Sequence, residues 1–197
     1  MLDWKCIKMV EVNAIKDKKQ IELMKRILKA NNMRDYLLFV MGINVGLRIS
    51  DLLNLKISDV LENGKVRSNV IIKEGKTDKT RTFTINKATS NAIKEYLSTS
   101  NNYDMDWYLF KSRKGDNKPI SRVQAWQVLN DSAKLAGIRE DIGTHTLRKT
   151  FGYWSYKQGI DITLLQKIFN HSTPSITLRY IGITQDEIRD VYNNLNL

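Results

Sequence analysis

The chain has 197 residues and is 42% hydrophobic, which suits one domain with a sizeable core, or at most a domain with an appendage. Lys and Arg number 32 against 21 Asp and Glu, and the formal charge of +11 points to an anionic partner, nucleic acid being the commonest inside a cell and plain solubility charge the alternative. One cysteine, Cys6, excludes an internal disulfide, and Cys6, His145 and His171 are too few soft ligands for a structural zinc site.

At the N-terminus, Asp3, Lys5 and Lys8 interrupt the apolar residues, so no signal-peptide core forms. No apolar run is long enough to span a bilayer, and a cytoplasmic protein is expected, with no membrane association. Residues 1–16 read as extended or irregular. Asp17 with Gln20 three residues on resembles a capping box, and Ile21, Met24, Ile27 and Leu28 follow at helical spacing. A second, more apolar helix is predicted over 35–45, with Gly46 ending it in the left-handed conformation. Ser50 is placed to cap a short helix, DLLNL, which puts Arg48 in a tight connection between helices.

Residues 66–73 are rich in β-branched side chains and 80–85 alternate polar and apolar. EGKTDK between them is a glycine-containing turn, so the pair reads as a β-hairpin. Helical spacing returns over 87–97, followed by polar loop over 98–106, a short strand over 107–110 and a second loop, SRKGDNKP. Ser121 caps a helix running to Ala136 and stopped by Gly137; Thr144 caps another over 145–158. Asp161 caps ITLLQKIF, and Thr173 with Pro174 opens SITLRYI. Thr184 with Glu187 makes a capping box for a final helix. The expected fold is mainly α with one small antiparallel β-sheet, an α+β arrangement without internal repeats or an internal domain boundary.

Both histidines lie between Thr144 and Tyr180. His145 and Arg148 are three apart on one helix face, in a first turn where unpaired amides and the helix dipole favour an anion. Arginine adds a planar fork of donors that matches two phosphate oxygens. A surface His and Arg on an ordinary helix turn is the bland alternative. A phosphoryl transfer also needs a nucleophile, and a tyrosine phenol, which titrates near 10, needs a base or a cationic site to serve as one. Tyr180 competes for that role with Tyr153, Tyr156 and Tyr192, and spacing alone does not choose between them.

Four stretches, GLRISDLLNLKISDV, GKTDKTRTFTI, THTLRKTFGYWSYKQGIDITLLQKIFNHS and TPSITLRYIGI, together resemble the tyrosine recombinases, the phage-integrase family, in that family's order and from about residue 35 to the end. The resemblance implies the catalytic-domain fold of that family. It implies that Arg48 is the first catalytic arginine, that His145 and Arg148 form the H-x-x-R box, that His171 is the later histidine, and that Tyr180 is the nucleophile. Lys76, in the hairpin turn and flanked by Lys73 and Lys79, matches the mobile catalytic lysine. Asp51 matches an acidic supporting position, with a plain helix-capping role as the alternative.

The implied activity is site-specific recombination or integration. Tyr180 attacks a phosphodiester of double-stranded DNA, leaving a 3′-phosphotyrosyl link and a 5′-hydroxyl, and a hydroxyl from another strand reverses the step. Two arginines take the place of a metal, no ATP is required, and no cofactor is implied. Implied partners are DNA and further copies of the chain, a homo-oligomer (tetramer) assembled on DNA, with the final helix over 185–195 as a contact. Residues 1–197 are read as a single catalytic domain, without the N-terminal helical clamp domain that many family members carry. A nicking and resealing activity of topoisomerase type, or a DNA-binding module that has lost exchange, are the competing readings.

Overall fold

The computed structural model describes residues 12–75, 79–100 and 102–183, together with Arg189 and Asn193. Lys76, Cys6 and almost all of the helix expected over 185–195 lie outside the described residues.

Helix α1 (Lys18–Asn31) starts where Asp17 accepts a hydrogen bond from the Lys19 N–H at 2.7 Å, and it buries Ile21, Met24 and Leu28. Asn32 then serves two helices. Its N–H donates to the Leu28 carbonyl, and its side-chain oxygen accepts from Arg34 at 3.0 Å, so α2 (Met33–Val45) begins two residues before the expected 35. Leu37, Leu38, Phe39, Val40 and Met41 of α2 are all buried, each burial contributing about 2 kcal/mol. This helix is the centre of the main core and packs against α1, α5 (Lys87–Leu97) and α7 (Thr144–Lys157). The close approach to α7 depends on Gly42, where a side chain would run into Leu147. Gly46 ends α2 in the left-handed region at φ 60°, as its position predicts.

Arg48 is the N-cap of α3 (Ile49–Leu53), and Ser50 lies inside that helix rather than capping it. After α4 (Ile57–Val60) comes a hairpin not anticipated from the sequence, β1 (Leu61–Glu62) with β2 (Lys65–Val66). Its turn is Asn63-Gly64, at φ 49° and 72°, the dipeptide that suits two successive positive φ values. The expected hairpin is present as β3 (Asn69–Lys73) and β4 (Thr80–Thr84), antiparallel in a register from Asn69 opposite Thr84 to Lys73 opposite Thr80. Val70 and Phe83, a cross-strand pair, face the core.

Residues 107–110 are not a strand. They meet the chain near Lys56 through single backbone bonds, Ile57 N–H to Trp107 O at 2.9 Å and Leu109 N–H to Leu55 O at 2.7 Å. Leu109 and Phe110 are fully buried, which gives the run its strand-like apolarity without a ladder. Ser121 caps α6 (Arg122–Leu135), as expected. Thr144, by contrast, is the first residue of α7 and Gly143 its N-cap, while the Thr146 hydroxyl accepts from the Gly143 N–H at 3.1 Å. Asp161 and Thr173 cap α8 (Ile162–Phe169) and α9 (Pro174–Ile181) as expected. A smaller core of Ala14, Tyr153, Phe169 and Ile181 holds these helices on α7. At Gly152 a Cβ would lie 2.6 Å from Ile181 and 2.7 Å from Phe169, so glycine is what allows that packing. Among the described residues, no helix is long and apolar enough to cross a membrane.

Candidate active site

Two groups of side chains from distant parts of the chain meet beside the C-terminal end of α2. The first comes from α3 and the β3–β4 hairpin. Arg48 donates through Nη1 to Glu74 Oε2 at 2.6 Å, and the same nitrogen lies 3.8 Å from Asp51 Oδ2. Arg81, on β4, donates to the other oxygen of Glu74 at 3.4 Å. Asp51 accepts from the Gly75 N–H at 3.1 Å through Oδ1, so it holds the hairpin end as well as flanking Arg48. Glu74 and Asp51 are both buried, and an isolated buried carboxylate would be costly without such partners.

The second group comes from α7, α8 and α9. Arg148 is 4% exposed and donates to two main-chain carbonyls, those of Gly46 and Phe169, the latter at 2.9 Å. Its guanidinium carbon also stands 4.6 Å from the Phe169 ring centre. Burial lowers its pKa to about 10, with the charges of Arg81 and Arg48 pushing the same way and those of Tyr180 and Glu74 opposing. The three arginines and Glu74 thus share one electrostatic environment.

Tyr180, on α9, points its Oη toward His145 Nδ1 at 3.5 Å, the outer edge of hydrogen-bond range. The ring is half-buried, edge-on to His171 with centroids 5.0 Å apart and to Phe169 at 5.4 Å. Lys149 Nζ lies 5.4 Å from its centre. Burial raises the Tyr180 phenol above its ordinary 10, while the charges of Arg148 and Arg48 act against that rise. His171 places Nδ1 3.1 Å from the hydroxyl of buried Thr177, and its pKa is lowered from 6.5 by burial first and then by Arg148 and Arg48.

The structure therefore brings together Arg48, Asp51, His145, Arg148, His171 and Tyr180, while Lys76 lies outside the described residues. Tyr153 is part of the smaller core, and Tyr156 and Tyr180 both pack against it. Sequence reading missed Glu74 and Arg81. Glu74 is one of 21 acidic residues and nothing in its neighbourhood along the chain marks it; only the proximity of Arg48 does. A solvent-open cleft of about 690 Å³ adjoins the site, lined in part by Glu74, Lys79, Arg81, Lys167 and Asn170. A phenol beside an imidazole, with guanidinium groups converging from two sides, can present a nucleophile to a bound anion.

The sequence matches the phage integrase family over residues 14–187. It is 45% identical over 181 residues to the probable integrase/recombinase YoeC of Bacillus subtilis (strain 168), covering 92% of this chain and 95% of that protein. Tyrosine recombinase XerA of Pyrococcus horikoshii is 30% identical over 177 residues, covering 89% of this chain and 60% of the relative, so this chain spans somewhat over half of its length. The fold is that of the crystal structure of XerA recombinase, with a TM-score of 0.74 at 24% identity, over 100% of this chain and 68% of that one.

Proposed function

The chain belongs to the phage integrase family, and from that premise we propose that it is a DNA strand transferase that cleaves and rejoins DNA at specific sites through a covalent phosphotyrosyl intermediate. The observation that carries this reading is the Tyr180 hydroxyl 3.5 Å from His145 Nδ1, within electrostatic reach of both Arg148 and Arg48.

In this reaction Tyr180 Oη attacks the scissile phosphorus, its proton passes to His145, and the bond from phosphorus to the 5′-oxygen breaks. The strand ends become a 3′-phosphotyrosyl ester and a 5′-hydroxyl. With a phenol raised above 10, almost no phenolate exists near neutral pH, so a base within reach of the hydroxyl is a requirement. Arg48 and Arg148 offset the charge that builds on the phosphorane-like transition state. Their partly desolvated setting strengthens each interaction relative to water. Lys76 protonates the departing 5′-oxygen, and Asp51 holds the main chain at Gly75.

His171 contributes one more donor to the phosphate through Nε2. Its lowered pKa keeps the ring neutral at pH 7, so the proton must sit on Nε2 for this role. The Thr177 hydroxyl has two acceptors in reach, His171 Nδ1 at 3.1 Å and the Thr173 carbonyl at 3.4 Å. The role requires the Thr177 hydroxyl to donate to Nδ1 rather than to the Thr173 carbonyl, which leaves Nδ1 without a proton. The second transesterification is the first in reverse, with a 5′-hydroxyl from another strand attacking the phosphotyrosine. One phosphodiester replaces another, so the cycle needs no ATP, and the arginines supply the charge stabilisation that a metal gives elsewhere.

Residues 1–197 act as the catalytic domain in this reading, on double-stranded DNA and as an oligomer, with segment 185–195 as a contact between copies. The deciding experiment uses a nicked, labelled suicide substrate of the native site. We expect a protease-sensitive covalent protein–DNA band, insensitive to EDTA and absent in Tyr180→Phe. An adduct that persists in Tyr180→Phe would remove Tyr180 as nucleophile. Site-specific binding with no adduct would favour a module that binds DNA without exchange, and relaxation of supercoiled DNA with no exchange would favour a topoisomerase-like activity.

A further inference from the structure

Glu74 has no part in the chemistry described so far, yet it is 4% exposed and sits among the groups that carry it. A carboxylate buried to this degree is held by its partners or not at all. It has Arg48 Nη1 at 2.6 Å on one oxygen and Arg81 Nη1 at 3.4 Å on the other. Its main chain is fixed as well, because the Glu74 N–H donates to the Lys79 carbonyl at 2.9 Å and closes the base of the hairpin turn. The neighbouring Gly75 N–H reaches Asp51 Oδ1 at 3.1 Å. Two consecutive hairpin residues, Glu74 and Gly75, are therefore tied to Arg48 and Asp51, which stand one turn apart on α3.

Resting on the strand-transfer reading above, we propose that Glu74 is a positioning residue, one that clamps the Arg48 guanidinium in the orientation that meets the scissile phosphate. A guanidinium is planar, so fixing one Nη atom restricts the direction of its remaining donors. A free arginine side chain would have to lose its rotamer freedom when DNA arrives; the clamp removes that freedom beforehand. Arg81 holds the second oxygen, keeping the carboxylate turned toward Arg48 and offsetting its charge near the phosphate.

The test compares Glu74→Ala and Glu74→Gln in the whole protein. On saturating nicked DNA in single turnover, Glu74→Ala should cleave about ten- to a hundredfold more slowly. Glu74→Gln, which keeps an oxygen acceptor for Arg48 at nearly the same volume, should recover most of the rate. DNA affinity should be unchanged or tighter, since a negative charge is removed. Faster cleavage by Glu74→Ala would overturn the proposal, because the carboxylate would then be blocking Arg48. An unchanged rate, or equal losses in the two variants, would also overturn it. A second measurement needs no cleavage: side-chain NMR of the DNA-free protein, with the Arg48 signals assigned through Arg48→Lys. Slowly rotating, resolved Nη protons are expected in the parent protein and averaged ones in Glu74→Ala; averaged signals in both would sink the clamp. Resolved signals in a protein that forms no adduct would support the clamp while removing the strand-transfer reading.

Discussion

Arg148 donates a hydrogen bond to the carbonyl of Gly46, 102 residues earlier in the chain and two residues before Arg48. The same guanidinium donates to Phe169, two residues before His171. One buried side chain thus fixes the helix connection that carries Arg48, the α8 end that precedes His171, and its own helix, which carries His145. The site is held together by one of its own members. The carbonyls of Gly46 and Phe169 are open to a side-chain donor because both residues stand at helix C-terminal ends, where carbonyls lack intrahelical partners.

Replacing that side chain should therefore cost on two scales. Arg148→Ala leaves two carbonyls without their donor, and we expect a loss of about 1–3 kcal/mol in urea unfolding, moderated by removal of a charge that burial disfavours. Cleavage should fall by about a hundredfold or more. Arg148→Lys keeps the charge but not the fork, so its stability should recover only in part while its cleavage stays low. Full recovery of both in Arg148→Lys would contradict the bidentate role.

The approach of α7 to α2 sets how Arg148 reaches Gly46, and Gly42 sets the approach. Gly42→Ala gains helix propensity but brings a methyl group into Leu147. Overpacking of this kind costs about 1–3 kcal/mol, so the net effect should be destabilising and visible as a lower melting temperature. The double variant Gly42→Ala with Leu147→Ala should recover part of the loss. A more stable Gly42→Ala would show that the two helices separate freely, and that Arg148 is not held by their spacing.

Helix starts are legible in the sequence at Asp17, Ser121, Asp161 and Thr173, because a side-chain cap is a local interaction, though not at Asn32, which caps α2. Ser50 and Thr144 mislead because Arg48 and Gly143 begin their helices without a side-chain cap, so the nearest hydroxyl reads as one. The 107–110 run misled through burial, since Leu109 and Phe110 fill the core without pairing as a strand. Asn63-Gly64 carries a local hairpin signal, the dipeptide suited to two positive φ values. In the site, residues that belong to recognisable strings were legible. Glu74 and Arg81 were not, because their significance arises only from contacts with Arg48 made through the hairpin.

The tautomer of His171 gives a third prediction. Thr177→Val removes the hydroxyl while nearly conserving the shape of a fully buried side chain. His171 Nδ1 then loses its partner, the ring populates both neutral tautomers, and donation from Nε2 weakens. Cleavage should fall by about tenfold, in keeping with the loss of a group that orients a functional histidine. Nitrogen-15 NMR of the imidazole should show the proton on Nε2 in the parent protein and a mixture in the variant. A proton on Nδ1 in the parent protein would exclude His171 as a neutral donor through Nε2.

The lowered pKa of His171 also makes stability depend on pH, with a definite sign. Burial first, then the charges of Arg148 and Arg48, disfavour the imidazolium in the folded protein, whereas the unfolded chain protonates this residue near 6.5. Below that value the unfolded state takes up a proton that the folded state resists, so the contribution of neutral His171 is present above 6.5 and is lost as pH falls toward the folded pKa. His171→Gln cannot be protonated and should lose less stability than the parent over that interval. Urea midpoints taken across it, for both proteins, measure the difference. Parallel curves would mean that His171 titrates alike in both states, and would leave the nearby arginine charges without effect on its ring.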